Sequence, residues 1–359
     1  MSKNITNRLK ILVVSGSLGK YFHLQEFTDA LLSLGVECKL INELDYLGGF
    51  PSKKIKKWFS DNGIKKLLRD FKPDAVFIDR QGEFGVKTID SKIPLFVLLR
   101  GHYWSEVKWA KKTLYKGPVS KMVIYLRKKN AEKCFKRATA IIPICKYIDN
   151  VVKEKYPNQN TDVFFEGISS SRWFPVQPMD LQHPCVGLLQ NANWWGKAKE
   201  MMILKNILKE MEDIHFYWVG EIGPYTEKIL DELKEFSNFH WIGPLQYPDK
   251  VREYLSGIDV YALVTGMDTA PLTLKEAQLM QKPVVASDVG GVSEMMVDGK
   301  TGFLIKEGDY KEWIKKLTIL LNDKSKSEQM GKEGRKFVEE NFNWEKIAKN
   351  FLQIVEKYI

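Results

Sequence analysis

The sequence predicts an α/β protein of two doubly wound parallel-sheet domains, and three observations carry that expectation. Short apolar runs rich in β-branched residues alternate with segments of helical period along the whole chain. That is the pattern of parallel strands covered on both faces by crossover helices. The length of 359 residues suits two domains at roughly 100–200 residues each. A proline-rich stretch, Trp173–Pro184, interrupts regular structure near the middle of the chain. The expected division is residues 1–175 and 176–343.

The elements follow from local pattern. In the first domain the strand candidates are Ile11–Ser15, Val36–Ile41, Ala75–Asp79, Leu95–Leu99, Ala140–Ile144 and Asp162–Glu166. Helices are predicted at His23–Leu34, with Phe27, Leu31 and Leu34 on one face, and at Ile64–Phe71. In the second domain the strands are Cys185–Leu189, His215–Val219, His240–Ile242, Val260–Val264, Pro283–Ser287 and Phe303–Ile305. Trp344–Ile359 reads as an amphipathic helix through Ile347, Phe351, Ile354 and Tyr358; its pattern does not say which domain it packs on.

Composition excludes several classes. The four cysteines (Cys38, Cys134, Cys145, Cys185) form no close pair, which argues against a secreted disulfide framework and for a reducing compartment. The five histidines are scattered, with no HExxH and no Cys/His spacing motif, so no metal site is expected. The apolar run Ile11–Val14 is too short for a signal core or a membrane span, and a cytoplasmic protein is expected. The net charge of +10 is uneven: residues 1–175 hold 32 Lys+Arg against 17 Asp+Glu. A basic first domain suggests that it meets an anionic surface.

Six segments can carry chemistry. Thr265–Met280 follows a strand and opens a helix, with Thr269 or Ala270 as N-cap and Pro271 as first helical residue. Amides there suit a pyrophosphate. Glu276, one turn past Leu272, can accept hydrogen bonds from a ribose diol; alternatively it is a solvated helix residue and Asp268 only complements the dipole. Gly187–Lys199 places Lys197 and Lys199 at a helix start, where an anionic ligand would compensate them; flexible surface lysines are the alternative. Ser15–Gly19, with Gly16 and Gly19, can cradle a phosphate or be a plain turn. Arg100–Trp104 puts His102 at the carboxyl end of a strand, where ligands bind in this architecture, although a lone histidine is usually structural. The lysine-rich, aromatic-interleaved stretches Ser52–Phe59 (Lys53, Lys54, Lys56, Lys57) and Lys108–Arg137 fit an anionic lipid surface or a solvated face. Trp104 is grouped with them as an acceptor- or membrane-facing residue. No nucleic-acid module is present.

Together and in this order, these segments resemble the retaining GT-B glycosyltransferases described as glycosyl transferases group 1, or glycosyltransferase family four. The resemblance rests on the acidic pair Asp268 and Glu276, on Lys282–Ser287 with Gly290, Gly291 and Glu294, on Asp298–Ile305, and on Glu166–Pro175. Val219–Pro224, Trp241–Gly243 and Phe342–Trp344 add to it. It implies two Rossmann-like domains facing a central cleft, the last helix returning to the first domain. It also implies roles. Glu276 would bind the ribose, Asp268 face the donor sugar, and the Pro271, Leu272 and Thr273 backbone meet the pyrophosphate. Lys197 would bind phosphate, Gly16 or Gly19 border it, Gly220 and Gly243 lie near the base, and His102 approach the reacting sugar.

The sequence departs from that pattern at Asp268, one methylene shorter than the usual Glu, at Leu188, where an arginine is usual, and at Pro271, in place of a glycine. Arg172 and Lys199 are candidates to replace the arginine. The implied activity is metal-independent transfer from a UDP- or GDP-sugar, as substrate rather than cofactor, to a glycan or lipid-linked acceptor with retention of configuration. The rivals are a GT-B protein that binds nucleotide sugar or glycan without turnover, and a phosphorylase or epimerase on the same architecture.

Overall fold

The computed structural model describes residues 9–16, 18–46 and 63–359, with the side chains of residues 18–20 left aside. The chain divides into two compact units, 1–168 with 344–359, and 169–343. In the first, the order is β1 (Lys10–Ser15), α1 (Leu18–Ser33), β2 (Glu37–Asn42), α2 (Ile64–Phe71), β3 (Ala75–Ile78), α3 (Glu83–Asp90), β4 (Leu95–Leu99), α4 (Tyr103–Thr113), α5 (Pro118–Arg137), β5 (Ala140–Pro143) and α6 (Lys146–Lys155). The strands pair in parallel in the order β2-β1-β3-β4-β5. Sequence order steps outward from β1 in both directions, the mark of a doubly wound sheet. Residues on β1, β3 and β4 are buried on both faces, which is why they read as unbroken apolar runs rather than alternating ones.

The second unit runs β6 (Cys185–Leu189), α7 (Trp195–Ala198), α8 (Leu204–Glu210), β7 (His215–Val219), α9 (Thr226–Leu233), β8 (Phe239–Gly243), α10 (Asp249–Gly257), β9 (Val260–Leu263), α11 (Leu272–Leu279), β10 (Val284–Ser287), β11 (Gly302–Ile305), α12 (Tyr310–Asn322) and α13 (Lys324–Asn341). Its parallel sheet has the order β11-β10-β9-β6-β7-β8. The core joins Val186, Leu188, Phe216, Trp218, Ala262 and Val285 of the sheet to Met201, Ile207, Ile229, Leu233 and Leu317 of the covering helices. Each of the Val, Leu, Ile, Phe and Met side chains among them contributes roughly 1.5–3 kcal/mol by leaving water.

The chain then closes with α14 (Trp344–Tyr358). Its apolar positions Ile347, Phe351, Ile354 and Val355 recur at helical spacing and pack with Phe27, Phe77 and Phe164 in the first unit's core. Phe351 meets Phe27 and Phe77 edge-on at 5.3 and 5.2 Å. The Trp344 indole N–H donates to the buried Glu26 carboxylate at 2.8 Å, which anchors the start of the helix.

Several local expectations change. The units divide at 168/169, not 175/176. Trp173 is buried against Tyr247, and its carbonyl accepts from Arg335 at 2.8 Å, so this stretch is held by the second unit. Asp162–Glu166 is no strand. It runs beside β5 with a single bridge, Ile141 to Thr161, because only a few of its amides and carbonyls engage β5. Helix α1 begins at Leu18, so Gly19 lies within its first turn instead of in a loop. At α11, neither Thr269 nor Ala270 is the cap: Pro271 is, with ψ of 117°, and the first helical residue is Leu272.

Candidate functional site

In the second unit, residues from five connections gather at the carboxyl end of the sheet. Gln190, just past β6, uses both ends of its amide on the end of β9: its Nε2 donates to the Val264 carbonyl at 2.7 Å, and its Oε1 accepts from the Val264 amide at 3.1 Å. Two connections are thereby held side by side. The Gly266 amide donates to the Lys197 carbonyl at 3.0 Å, and the Gly291 amide to the Asp268 carbonyl at 3.1 Å. Lys197, Asp268 and the double-glycine loop are therefore one backbone-linked cluster.

Within it the Lys197 ammonium is paired with the Asp268 carboxylate. The side chains are 30% and 11% exposed, so the pair sits at a protected edge. The second Asp268 oxygen accepts from the Thr269 amide at 2.9 Å. The charge on Lys197 is thus already compensated by Asp268, a partner 71 residues away that local sequence does not reveal. The N-cap of α11, Pro271, makes no side-chain cap hydrogen bond to the helix start, and a helix start of that kind, at the positive end of the dipole, suits an anion. Thr273 in its first turn is positioned by the Tyr261 hydroxyl, which donates to its Oγ1 at 2.8 Å.

Glu276 is 2% exposed, not a solvated helix residue. The Tyr247 hydroxyl donates to its Oε1 at 3.1 Å. Tyr247 comes from the loop after β8, so a carboxylate on α11 is reached by the connection that begins at Gly243. Gly243 has φ of 89°, a left-handed conformation that favours glycine. Its carbonyl accepts from the Gly220 amide at 3.2 Å. A Cβ on Gly220 would stand 2.3 Å from the Gln190 carbonyl oxygen, so these loops approach one another only because that position lacks a side chain.

The departures have structural counterparts. Leu188 is fully buried in the core and supplies no cation. Lys199 is paired with Glu307. Arg172 lies in a short 3-10 turn whose carbonyl accepts from Arg252 at 3.3 Å. Trp195 packs against Tyr225 at 5.4 Å, with the Lys228 ammonium 3.9 Å from its ring centre; it belongs to the packing on the core.

In the first unit the carboxyl ends of β1, β3 and β4 form a charged rim that sequence reasoning missed. Arg100 pairs with both Asp79 and Glu166. Burial pulls the guanidinium's pKa down, but the Glu166 and Asp79 carboxylates outweigh it and the net shift is upward. The Gly16 amide donates to Asp79 at 3.4 Å. Glu43 lies near Arg80 and Asp79, and burial, opposed by Arg80, pushes its carboxyl up to about 7. The signal available was a charged residue directly after two apolar strands.

His102 follows β4 and caps α4, its Nδ1 accepting from the Ser105 amide at 3.2 Å. The ring thus has a structural task at the strand end. Trp104 is half-buried among Phe135, Tyr156 and His102, with the Lys155 ammonium 5.1 Å from its ring centre. Lys53, Lys54, Lys56 and Lys57 lie outside the described residues. Among the described residues, no helix is long and apolar enough to cross a membrane. Also among them, one group brings three potential metal ligands together: His183, Cys185 and Asp259. Spacing motifs could not find it, since Asp259 is 74 residues from Cys185.

Comparisons with known proteins identify the family and the fold. The profile of the family described as "Glycosyl transferases group 1" matches residues 202–337. The capsular polysaccharide biosynthesis glycosyltransferase CapM of Staphylococcus aureus is 40% identical over 331 residues, 85% of this chain and 84% of CapM. Sulfoquinovosyl transferase SQD2 of Arabidopsis thaliana is 32% identical over 152 residues, 42% of this chain and 29% of SQD2, so the chain spans less than a third of that relative. Among solved structures, Anabaena HepE in complex with UDP-glucose superposes with a TM-score of 0.70 at 15% identity, covering 97% of this chain and 100% of HepE. The fold is the two-domain, Rossmann-like GT-B arrangement. With its extent and level of identity to CapM, the chain belongs to the glycosyl transferases group 1 family.

Proposed function

We propose that the protein transfers a sugar from a UDP- or GDP-sugar to a glycan or lipid-linked acceptor, with retention and without a metal at the reacting diphosphate. The observation that carries this reading is the cluster at the end of the second unit's sheet. It joins an ammonium, Lys197, to the start of α11, whose N-cap is Pro271, and to the carboxylate Glu276 one turn further along. When the sugar–phosphate bond breaks, negative charge grows on the departing diphosphate. Preset amides and an ammonium stabilise that charge more than they stabilise the ground state. Glu276 holds the ribose, Asp268 faces the sugar, and the acceptor oxygen bonds the anomeric carbon as the bond to the phosphate oxygen breaks, the acceptor's hydroxyl proton passing to the departing diphosphate. The similarity to CapM, named for capsular polysaccharide biosynthesis, favours a polysaccharide acceptor, and HepE, solved with UDP-glucose, favours a uridine donor.

The first unit is assigned the acceptor. Leu114, Val119, Met122 and Tyr125 are exposed on and just before α5, among Lys111, Lys112, Lys116 and Lys121. Exposed apolar residues among lysines suit the surface of an anionic bilayer, making the protein peripheral at the cytoplasmic face.

The test is transfer by the purified chain with UDP- and GDP-sugars and a lipid-linked acceptor, with the anomeric configuration of the product read by NMR. Product of retained configuration in the presence of chelator supports the reading. Saturable donor binding with no product would establish the binder instead. Cosedimentation with phosphatidylglycerol vesicles should weaken with salt; no binding at low salt would remove the membrane assignment.

A further inference from the structure

We propose a second, independent site: a binding site for one zinc-like divalent ion at the amino-terminal edge of the second unit's sheet, formed by His183, Cys185 and Asp259. Cys185 opens β6, and Asp259 immediately precedes β9, its hydrogen-bonded neighbour. His183 lies two residues before Cys185, so the three side chains converge from two adjacent strand starts. Their ligand atoms lie within 4.8 Å of one another.

One of the ligand spacings already matches that of a tetrahedral ion. Bonds of about 2.3 Å to sulfur and about 2.05 Å to nitrogen put those two ligand atoms about 3.6 Å apart. The Cys185 Sγ to His183 Nδ1 distance is 3.6 Å. His183 Nδ1 and Asp259 Oδ2 are 2.8 Å apart, a hydrogen bond. An ion between them would replace that bond and widen the pair to about 3.3 Å, a small movement for a histidine that is 50% exposed. The carboxylate is already oriented, since Oδ2 accepts from the Cys185 amide at 2.8 Å. Outer hydrogen bonds of this kind raise metal affinity by fixing the ligand.

The chemistry of the set selects the ion. A thiolate, an imidazole nitrogen and one carboxylate oxygen suit zinc or cobalt and are poor for magnesium or calcium. On binding, the thiol proton leaves to solvent and water fills the fourth position. His183 and Asp259, 50% and 40% exposed, provide the entry path, while Cys185 is fully buried. Lys282 is the nearby cation. Its ammonium donates to the Ser256 and Ile258 carbonyls at 3.0 and 2.8 Å and so braces the chain that carries Asp259. The site lies at the opposite end of the sheet from Lys197 and Glu276, so its ion would clamp two strands and take no part in sugar transfer.

The experiment uses the untagged, full-length chain, stripped with chelator and titrated with Co2+. A thiolate-to-cobalt charge-transfer band should saturate at one ion per chain, and Zn2+ should abolish it by displacement. His183→Ala should weaken cobalt binding by about 10-fold or more. Cys185→Ser should remove the charge-transfer band, with circular dichroism and a cooperative urea melt confirming that the variant folds. No saturable band in the wild-type chain would overturn the proposal. So would a band that survives in Cys185→Ser, or Co2+ affinity unchanged in both His183→Ala and Asp259→Asn.

Discussion

Replacing Glu276 by Gln tests the donor site at its most specific point. The side chain is almost fully buried, and one of its oxygens accepts from Tyr247 at 3.1 Å. Glutamine keeps the shape and can still accept from Tyr247, so the fold should survive. A carboxylate offers about four acceptor positions, whereas an amide offers one oxygen and two donors. A ribose diol presents two hydroxyl donors, so the variant loses one charge-assisted bond and turns the other neutral. At about 1.5–3 kcal/mol for a bond to a charged group and about half that for a neutral one, the loss is about 2–4 kcal/mol. That is about 30- to 1,000-fold in affinity. The assay is calorimetric titration of UDP, and of its dideoxyribose analogue, against the wild type and Glu276→Gln; GDP and its analogue are run in parallel. The wild type should lose at least that factor when the diol is removed, whereas Glu276→Gln, which keeps one neutral bond to the diol, should lose only about 3- to 10-fold. A wild type that binds both analogues equally, or a variant that keeps full discrimination, would refute the assignment of Glu276 to the ribose.

Three further outcomes are expected. Lys197→Ala removes a cation from the diphosphate and leaves Asp268 with the Thr269 amide; nucleoside diphosphate affinity should fall by about 10-fold or more, and adding Asp268→Asn should recover melting temperature without recovering that affinity. Gly220→Ala drives a methyl to 2.3 Å from the Gln190 carbonyl; it should destabilise by about 1–3 kcal/mol in urea melts, whereas Gly117→Ala, which meets nothing within 4 Å, should cost far less. Glu43 is held at about 7 by burial, above its unfolded value, so its contribution to stability is full below about 4.5 and is lost as pH rises through about 7. Glu43→Gln should therefore gain stability relative to the wild type between pH 5 and 8, as measured by melting temperature, and a constant difference across that range would count against it.

Much of the fold was legible because hydrophobic periodicity is local. Leu95–Leu99, Cys185–Leu189, His215–Val219 and Ile64–Phe71 can be read directly from runs of apolar residues and their flanking breakers, and each forms the predicted element. Strand-helix alternation then leaves few topologies other than parallel doubly wound sheets. The placement of Lys197, Asp268 and Glu276 beyond the carboxyl end of the second sheet was legible as well, since a helix that opens after a parallel strand lies at a known place. Tertiary structure decided everything that depends on side chains from distant segments. It paired Lys197 with Asp268, set Tyr247 on Glu276, and closed Arg100 between Asp79 and Glu166. It also brought Asp259 to His183 and Cys185. Pattern failed even locally where pairing depended on a neighbour, as at Asp162–Glu166, which lies beside β5 without a regular ladder. Periodicity records which face of an element leaves water. It carries no record of which charged group across the sheet will meet another, because that is set by loop closure and packing over the whole unit.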